Sequence, residues 1–79
     1  MKKFLYQIFG YRTNKDIDES IVRFIRRCKE ATIYQLYIET DLYETSIARI
    51  YDRLVTLVRD GTLTSEQKED GLIHYRIKE

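Results

Sequence analysis

YETSIARIYDRLVTLVRDG, residues 43–61, decides how the rest of the chain is read. At about 100° per residue, Ile47, Ile50, Tyr51, Leu54, Leu57 and Val58 fall on one apolar stripe, the pattern of an amphipathic helix. Thr45, Arg49, Asp52 and Thr56 point the other way, with Ser46 and Arg53 on the flank between. No Gly or Pro interrupts the run, and Gly61 stands where a helix should end. The spacing therefore predicts a helix over residues 44–60.

Beyond Gly61 the period changes from 3.6 to 2. TLTSEQ and LIHYRIKE read as two strands, a hairpin over about residues 62–79, with KEDG between them. In the second, Ile73, Tyr75 and Ile77 face one way and His74, Arg76 and Lys78 the other. A two-residue Asp70-Gly71 turn would set Leu63 opposite Lys78 and split the apolar face. A three-residue turn, Glu69-Asp70-Gly71 with Gly71 left-handed, pairs Leu63 with Ile77 and Ser65 with Tyr75. Only the second keeps the inward residues together, so it is the register predicted.

Working back towards the start, Thr40-Asp41-Leu42 is a turn with Leu42 pinned between two helices. IYQLYIET before it is two helical turns, with Ile33, Leu36 and Tyr37 inward. Thr32 followed by Gln35 matches a capping box at its start. Ala31-Thr32 is a short link able to lend a residue to the sheet. A longer helix is predicted over residues 16–30, with Ile17, Ile21, Phe24, Ile25 and Cys28 buried and Arg23, Arg26, Arg27 and Lys29 outside. Thr13-Asn14 is a break or cap ahead of it, and Asp16, Asp18 and Glu19 suit its first turn. Residues 1–15 form a separate apolar and basic segment, and Phe4, Leu5, Ile8 and Phe9 are its apolar cluster. The remainder, 16–79, is one domain of mostly α class with a small β-hairpin.

Composition narrows the classes. At 79 residues the chain is close to the lower limit for a self-sufficient core. With 43% hydrophobic and 34% charged residues, it is globular rather than disordered. No apolar run is long enough to span a bilayer. The single cysteine forms no internal disulfide, which fits a reducing cytoplasm. The net charge of +1 gives no strong global field, so distribution matters more than the sum. Lys2, Lys3, Arg12 and Lys15 form one basic block and Arg23 to Lys29 another. The acids gather at residues 16–19, 39–44 and 66–70.

The order of helix, turn, helix and hairpin from Ala31 to Lys78 resembles the winged helix-turn-helix transcription regulators, in particular the MarR-like and PadR-like groups. The residues that carry it are Asp41-Leu42-Tyr43 at the turn, Leu54 and Leu57 near the helix end, and Gly61-Thr62-Leu63 leading into the hairpin. Two departures stand out. Asp41 stands where those groups commonly have Gly, and Tyr43 where a Ser caps the second helix. Those groups add helices for dimerisation or effector binding, whereas the resemblance here stops with the second strand, and in size the chain is similar to the minimal winged-helix proteins of archaeal viruses, phages and plasmids.

What the resemblance implies is sequence-specific binding of double-stranded DNA by a transcription regulator in the cytoplasm, that of the host for a viral protein. The helix at 44–60 would enter the major groove, with the hairpin as a wing. Carried over by position, Thr45, Ser46 and Arg49 would meet base edges. Arg53 would lie near a phosphate, and Tyr43, Lys68 and Arg76 would make backbone contacts. Glu44 and Asp52 oppose a simple phosphate-facing surface. Regulators of this type usually act as two-fold dimers, and Phe4, Leu5, Ile8 and Phe9 are the expected contact, with packing of the same segment back on its own domain beside the first long helix as the alternative. The competing reading is a protein-binding module of the same fold. A continuous positive band over Arg49, Arg53 and the wing would favour DNA, and a mixed-sign surface would favour protein. No cofactor, metal or small-molecule effector is expected. With one His, one Cys, no glycine-rich phosphate loop and no ligand spacing for zinc, an enzyme is not expected either.

Overall fold

The structure, a computed structural model, describes residues 13–79, and the segment with Phe4, Leu5, Ile8 and Phe9 lies outside the described residues. Three α-helices are followed by a two-stranded antiparallel hairpin: α1 (Asn14–Cys28), α2 (Ile33–Glu39), a 3-10 turn (Asp41–Glu44), α3 (Ile47–Arg59), β1 (Leu63–Gln67) and β2 (Ile73–Ile77).

Each helix starts on a hydroxyl. Thr13 caps α1 in a reciprocal box with Asp16, so Asn14 and Lys15 belong to the helix and not to the segment before it. Thr32 caps α2 with Gln35 in the predicted box. Its Oγ1 accepts from the Gln35 amide at 3.2 Å, and its own amide donates to Gln35 Oε1 at 2.9 Å. Thr40 caps the 3-10 turn, accepting from the Leu42 amide at 2.9 Å. Ser46 caps α3, accepting from the Arg49 amide at 3.1 Å. The helix predicted to begin at residue 44 thus begins three residues later, because the turn after α2 takes up Asp41–Glu44 and Ser46 offers the first usable hydroxyl. Helix α3 closes on Gly61 at φ 91°, with amide bonds Gly61 to Val58 and Thr62 to Leu57. This is the six-to-one and five-to-two pattern that a left-handed glycine makes possible.

The core is one cluster. Ile17, Ile21, Phe24 and Ile25 of α1 meet Leu36, Leu42, and Ile50, Leu54 and Leu57 of α3, with Leu63 and Tyr75 of the hairpin closing one side. Ile33, Tyr37, Val58 and Ile77 pack around its edge. Leu42 is fully buried, so the residue predicted to pin the turn does so. Three members of the predicted apolar stripes are outside. Cys28 is exposed, because it is the last residue of α1 and the chain turns away at Lys29. Ile47 and Tyr51 are 40% and 53% exposed, because α3 buries the stripe's centre and leaves this edge open.

The hairpin has the predicted register, Leu63 opposite Ile77 and Ser65 opposite Tyr75. Residues 69–71 form the loop, with Gly71 at φ 83°, Gly71 bonding to the Lys68 carbonyl and Lys68 to that of Leu72. Ala31 adds a bridge to Tyr75, with amide bonds in both directions of 3.0 and 2.8 Å. The link between α1 and α2 is thereby fastened to the sheet.

Lys29 ends α1 at φ 79°, a conformation that L side chains adopt at a cost. Lys29→Gly is expected to stabilise the fold by about 1 kcal/mol, since glycine removes the Cβ conflict that outweighs its greater freedom when unfolded. Urea unfolding of the two proteins checks this; a less stable glycine variant would refute it.

Candidate functional site

The residues singled out from sequence separate into three groups in space. The first lies between α3 and α1. Arg53 donates to both carboxylate oxygens of Asp18, Nε to Oδ1 at 2.8 Å and Nη2 to Oδ2 at 2.7 Å, with the two side chains only 16% and 24% exposed. That pairing raises the guanidinium pKa further above its usual range, with Asp18 as the largest cause. Arg49 turns the same way and donates to Asn14 Oδ1 at 3.2 Å. Both arginines expected at DNA therefore lean on the first half of α1.

The second group ties the hairpin tip to the link after α1. Lys68 Nζ lies 2.9 Å from each Glu30 oxygen. His74 sits between two carboxylates, Nδ1 at 3.1 Å from Glu30 and Nε2 at 2.9 Å from Asp70. A neutral imidazole has one N–H and can donate to only one of them; the imidazolium serves both. The Glu30 carboxyl is held below its usual range, first by the Lys68 hydrogen bond and then by the Lys68 and His74 charges. Asp70 is held low first by the Leu72 amide and then by His74. Arg76 is exposed on the hairpin face that also carries Thr64, Glu66 and His74. It borders a shallow surface with Arg26, Lys29 and Lys78.

The carboxylates give a pH prediction. Glu30 and Asp70, together with Asp60, whose carboxyl is lowered by hydrogen bonds from Thr62, all bind protons less readily folded than unfolded. Their stabilisation is present above the ordinary values of 4.5 for Glu and 3.8 for Asp. It is lost as pH falls through the lower folded values, because the unfolded chain then binds more protons. Urea midpoints are expected to drop from neutral pH towards pH ~3, and less so in Glu30→Gln with Asp70→Asn. An equal drop in both proteins would count against these contacts.

The third group, Tyr43, Thr45 and Ser46, borders a surface that sequence reasoning missed. A shallow groove runs between the start of α2, the first half of α3 and the hairpin, lined by Tyr34, Ile47, Ala48, Tyr51, Leu72 and Ile73 among others. It continues along α3 past Val55 and Val58, with Tyr75 at its floor. Burial raises the Tyr75 phenol above its usual range, and Tyr51 adds to this. Tyr34, Tyr43, Ile47, Tyr51 and Ile73 are all at least 40% exposed. Next to this groove Ala48 and Asp52 are also exposed, while Thr45 is half-buried at the approach to the helix and Ser46 is spent on its cap. The available signal was that Ile47 and Tyr51 lie at one edge of the stripe, where a modest rotation of the helix turns them out.

Among the described residues the face is mixed in sign and partly apolar: Arg53 is paired with Asp18 and Lys68 with Glu30, so no continuous band of cations runs over Arg49, Arg53 and Lys68. Among the described residues, no cluster of three or more His, Cys, Asp or Glu side chains is arranged to hold a metal ion. Nor is any described helix long and apolar enough to cross a membrane. Comparison of the chain with protein-family models, characterised proteins and solved structures finds no match.

Proposed function

We propose that this chain is a winged helix-turn-helix protein that binds double-stranded DNA as a regulator of transcription, with the start of α3 in the major groove and the hairpin beside it as the wing. The observation that carries the reading is the accessible first half of α3, set on a short capped helix and a tight turn and flanked by a hairpin. That half-helix is slim enough for a groove about 12 Å wide, and its amino end suits nearby phosphate. The residues presented there are Ser46, Ile47, Ala48, Tyr51 and Asp52, with Thr45 and Arg49 at the margins. The hydroxyls of Tyr34 and Tyr43 are exposed enough to reach the backbone.

Ala48→Glu tests the reading. The added carboxylate lies in the first turn of α3, where it suits the helix dipole and leaves folding intact. Set into a groove walled by phosphates, it is expected to weaken duplex binding at least about tenfold. Anisotropy titration against duplexes selected from a random library measures this, with circular dichroism as the folding control. Unchanged affinity would remove α3 from the interface.

A second reading, a protein-binding module of the same fold, is favoured by the mixed-sign face and by the exposed Tyr34, Ile47, Tyr51 and Ile73, an apolar strip suited to a protein segment. Salt separates the two. Duplex binding weakens as salt rises, with a slope expected to report only about 3 to 6 neutralised phosphates per chain, whereas apolar docking holds or tightens.

A further inference from the structure

The accessible start of α3 is short of the groups that read guanine. A bidentate contact to guanine O6 and N7 takes an arginine or lysine aimed into the groove. Arg53 is spent on Asp18, Arg49 is turned towards Asn14, and the next cation along α3 is Arg59 in its last turn. In their place stand the methyl-bearing side chains of Ile47 and Ala48, the Tyr51 ring and the Asp52 carboxylate, all exposed.

Among the four bases, only thymine offers the major groove an apolar group, its 5-methyl. Asp52 accepts hydrogen bonds and donates none. It suits the amino group of adenine or cytosine and repels the O6 and N7 acceptors of guanine. We infer that α3 reads thymine 5-methyl groups through Ile47 and Ala48, beside an amino group bound by Asp52, so that the DNA site is rich in A·T pairs. This rests on the DNA-binding reading above and adds which bases are read and by what chemistry. Ile47 is the residue that sets the preference, because it holds the most exposed aliphatic surface on this part of the helix. The apolar strip that is a poor match for phosphate is a good match for a row of methyl groups.

The test uses the full chain and a library of random duplexes. Selection is expected to enrich sites with an A·T-rich core. The enriched duplex is then made with deoxyuridine in place of thymidine at one core position at a time, which deletes only the methyl group. Affinity is expected to fall about fourfold at each contacted position, the effect of burying one carbon group, and not at flanking positions. Ile47→Ala, at an exposed site, should bind the thymidine and deoxyuridine duplexes equally at the position it contacts. Enrichment of G·C-rich cores overturns the inference and leaves DNA binding standing. So does an enriched duplex indifferent to every deoxyuridine exchange. Failure to enrich any duplex removes the DNA-binding reading and the inference with it.

Discussion

Leu42→Ala is expected to lower the free energy of unfolding by about 3 kcal/mol, the largest effect of any single change considered. Leu42 is fully buried in the 3-10 turn and touches the one core that α1, α2, α3 and the hairpin share. Truncation loses the transfer energy of three carbons and leaves a void that its neighbours fill only in part. Collapse is limited on both sides. Thr40 holds the Leu42 amide at 2.9 Å, and the Thr45 amide bonds to the Leu42 carbonyl at 2.9 Å, so the backbone cannot follow the missing side chain inward. A domain of this size has only about 4 to 12 kcal/mol in all, so the variant sits close to unfolding. Urea titration reads the loss as a lower midpoint at unchanged slope. Leu42→Met, which keeps the volume, is expected to cost under about 1.5 kcal/mol. A loss below about 1 kcal/mol for the alanine variant would show that the turn is not anchored through this residue.

The effect also bears on function. Leu42 fixes where α3 starts relative to α2, and with it the position of Ile47, Ala48 and Tyr51. A cavity there should loosen that surface before the chain unfolds.

What the sequence disclosed follows from how local the information was. The hairpin register was legible because only one loop length keeps Leu63, Tyr75 and Ile77 on one face. The start of α2 was legible because Thr32 and Gln35 satisfy each other within four residues. The start of α3 was not. Between α2 and α3 the chain spends four residues, Asp41–Glu44, on a 3-10 turn, and the turn read from sequence at Thr40-Asp41-Leu42 stops two residues short of its end. Only the depth of Leu42 in the core shows that helix α3 must wait for Ser46. The candidate site suffered more. Periodicity finds the centre of a buried stripe, but packing decides how far the helix rolls, and that roll exposes Ile47 and Tyr51 and turns Arg49 and Arg53 towards α1. The contacts that hold the two arginines, Arg49 to Asn14 and Arg53 to Asp18, link residues 35 positions apart, beyond any local pattern.

The fate of Arg53 gives the second large effect. Asp18→Ala is expected to destabilise the fold by about 2 kcal/mol, because it leaves a guanidinium at 16% exposure without the carboxylate that it meets with two hydrogen bonds. The figure lies below that for a fully buried pair, since both side chains keep some contact with water. Removing the pair together should cost less than the two single losses added, because the double variant leaves no stranded charge. This cycle also decides what Arg53 does for binding. If it is a clamp between α1 and α3, Arg53→Ala lowers stability while the salt slope of duplex binding stays the same. If it neutralises a phosphate, the slope falls by about one and Asp18→Ala, which frees the guanidinium, tightens binding. The two short bonds to Asp18 favour the clamp. A unit drop in slope with unchanged stability would return Arg53 to the proposed DNA interface.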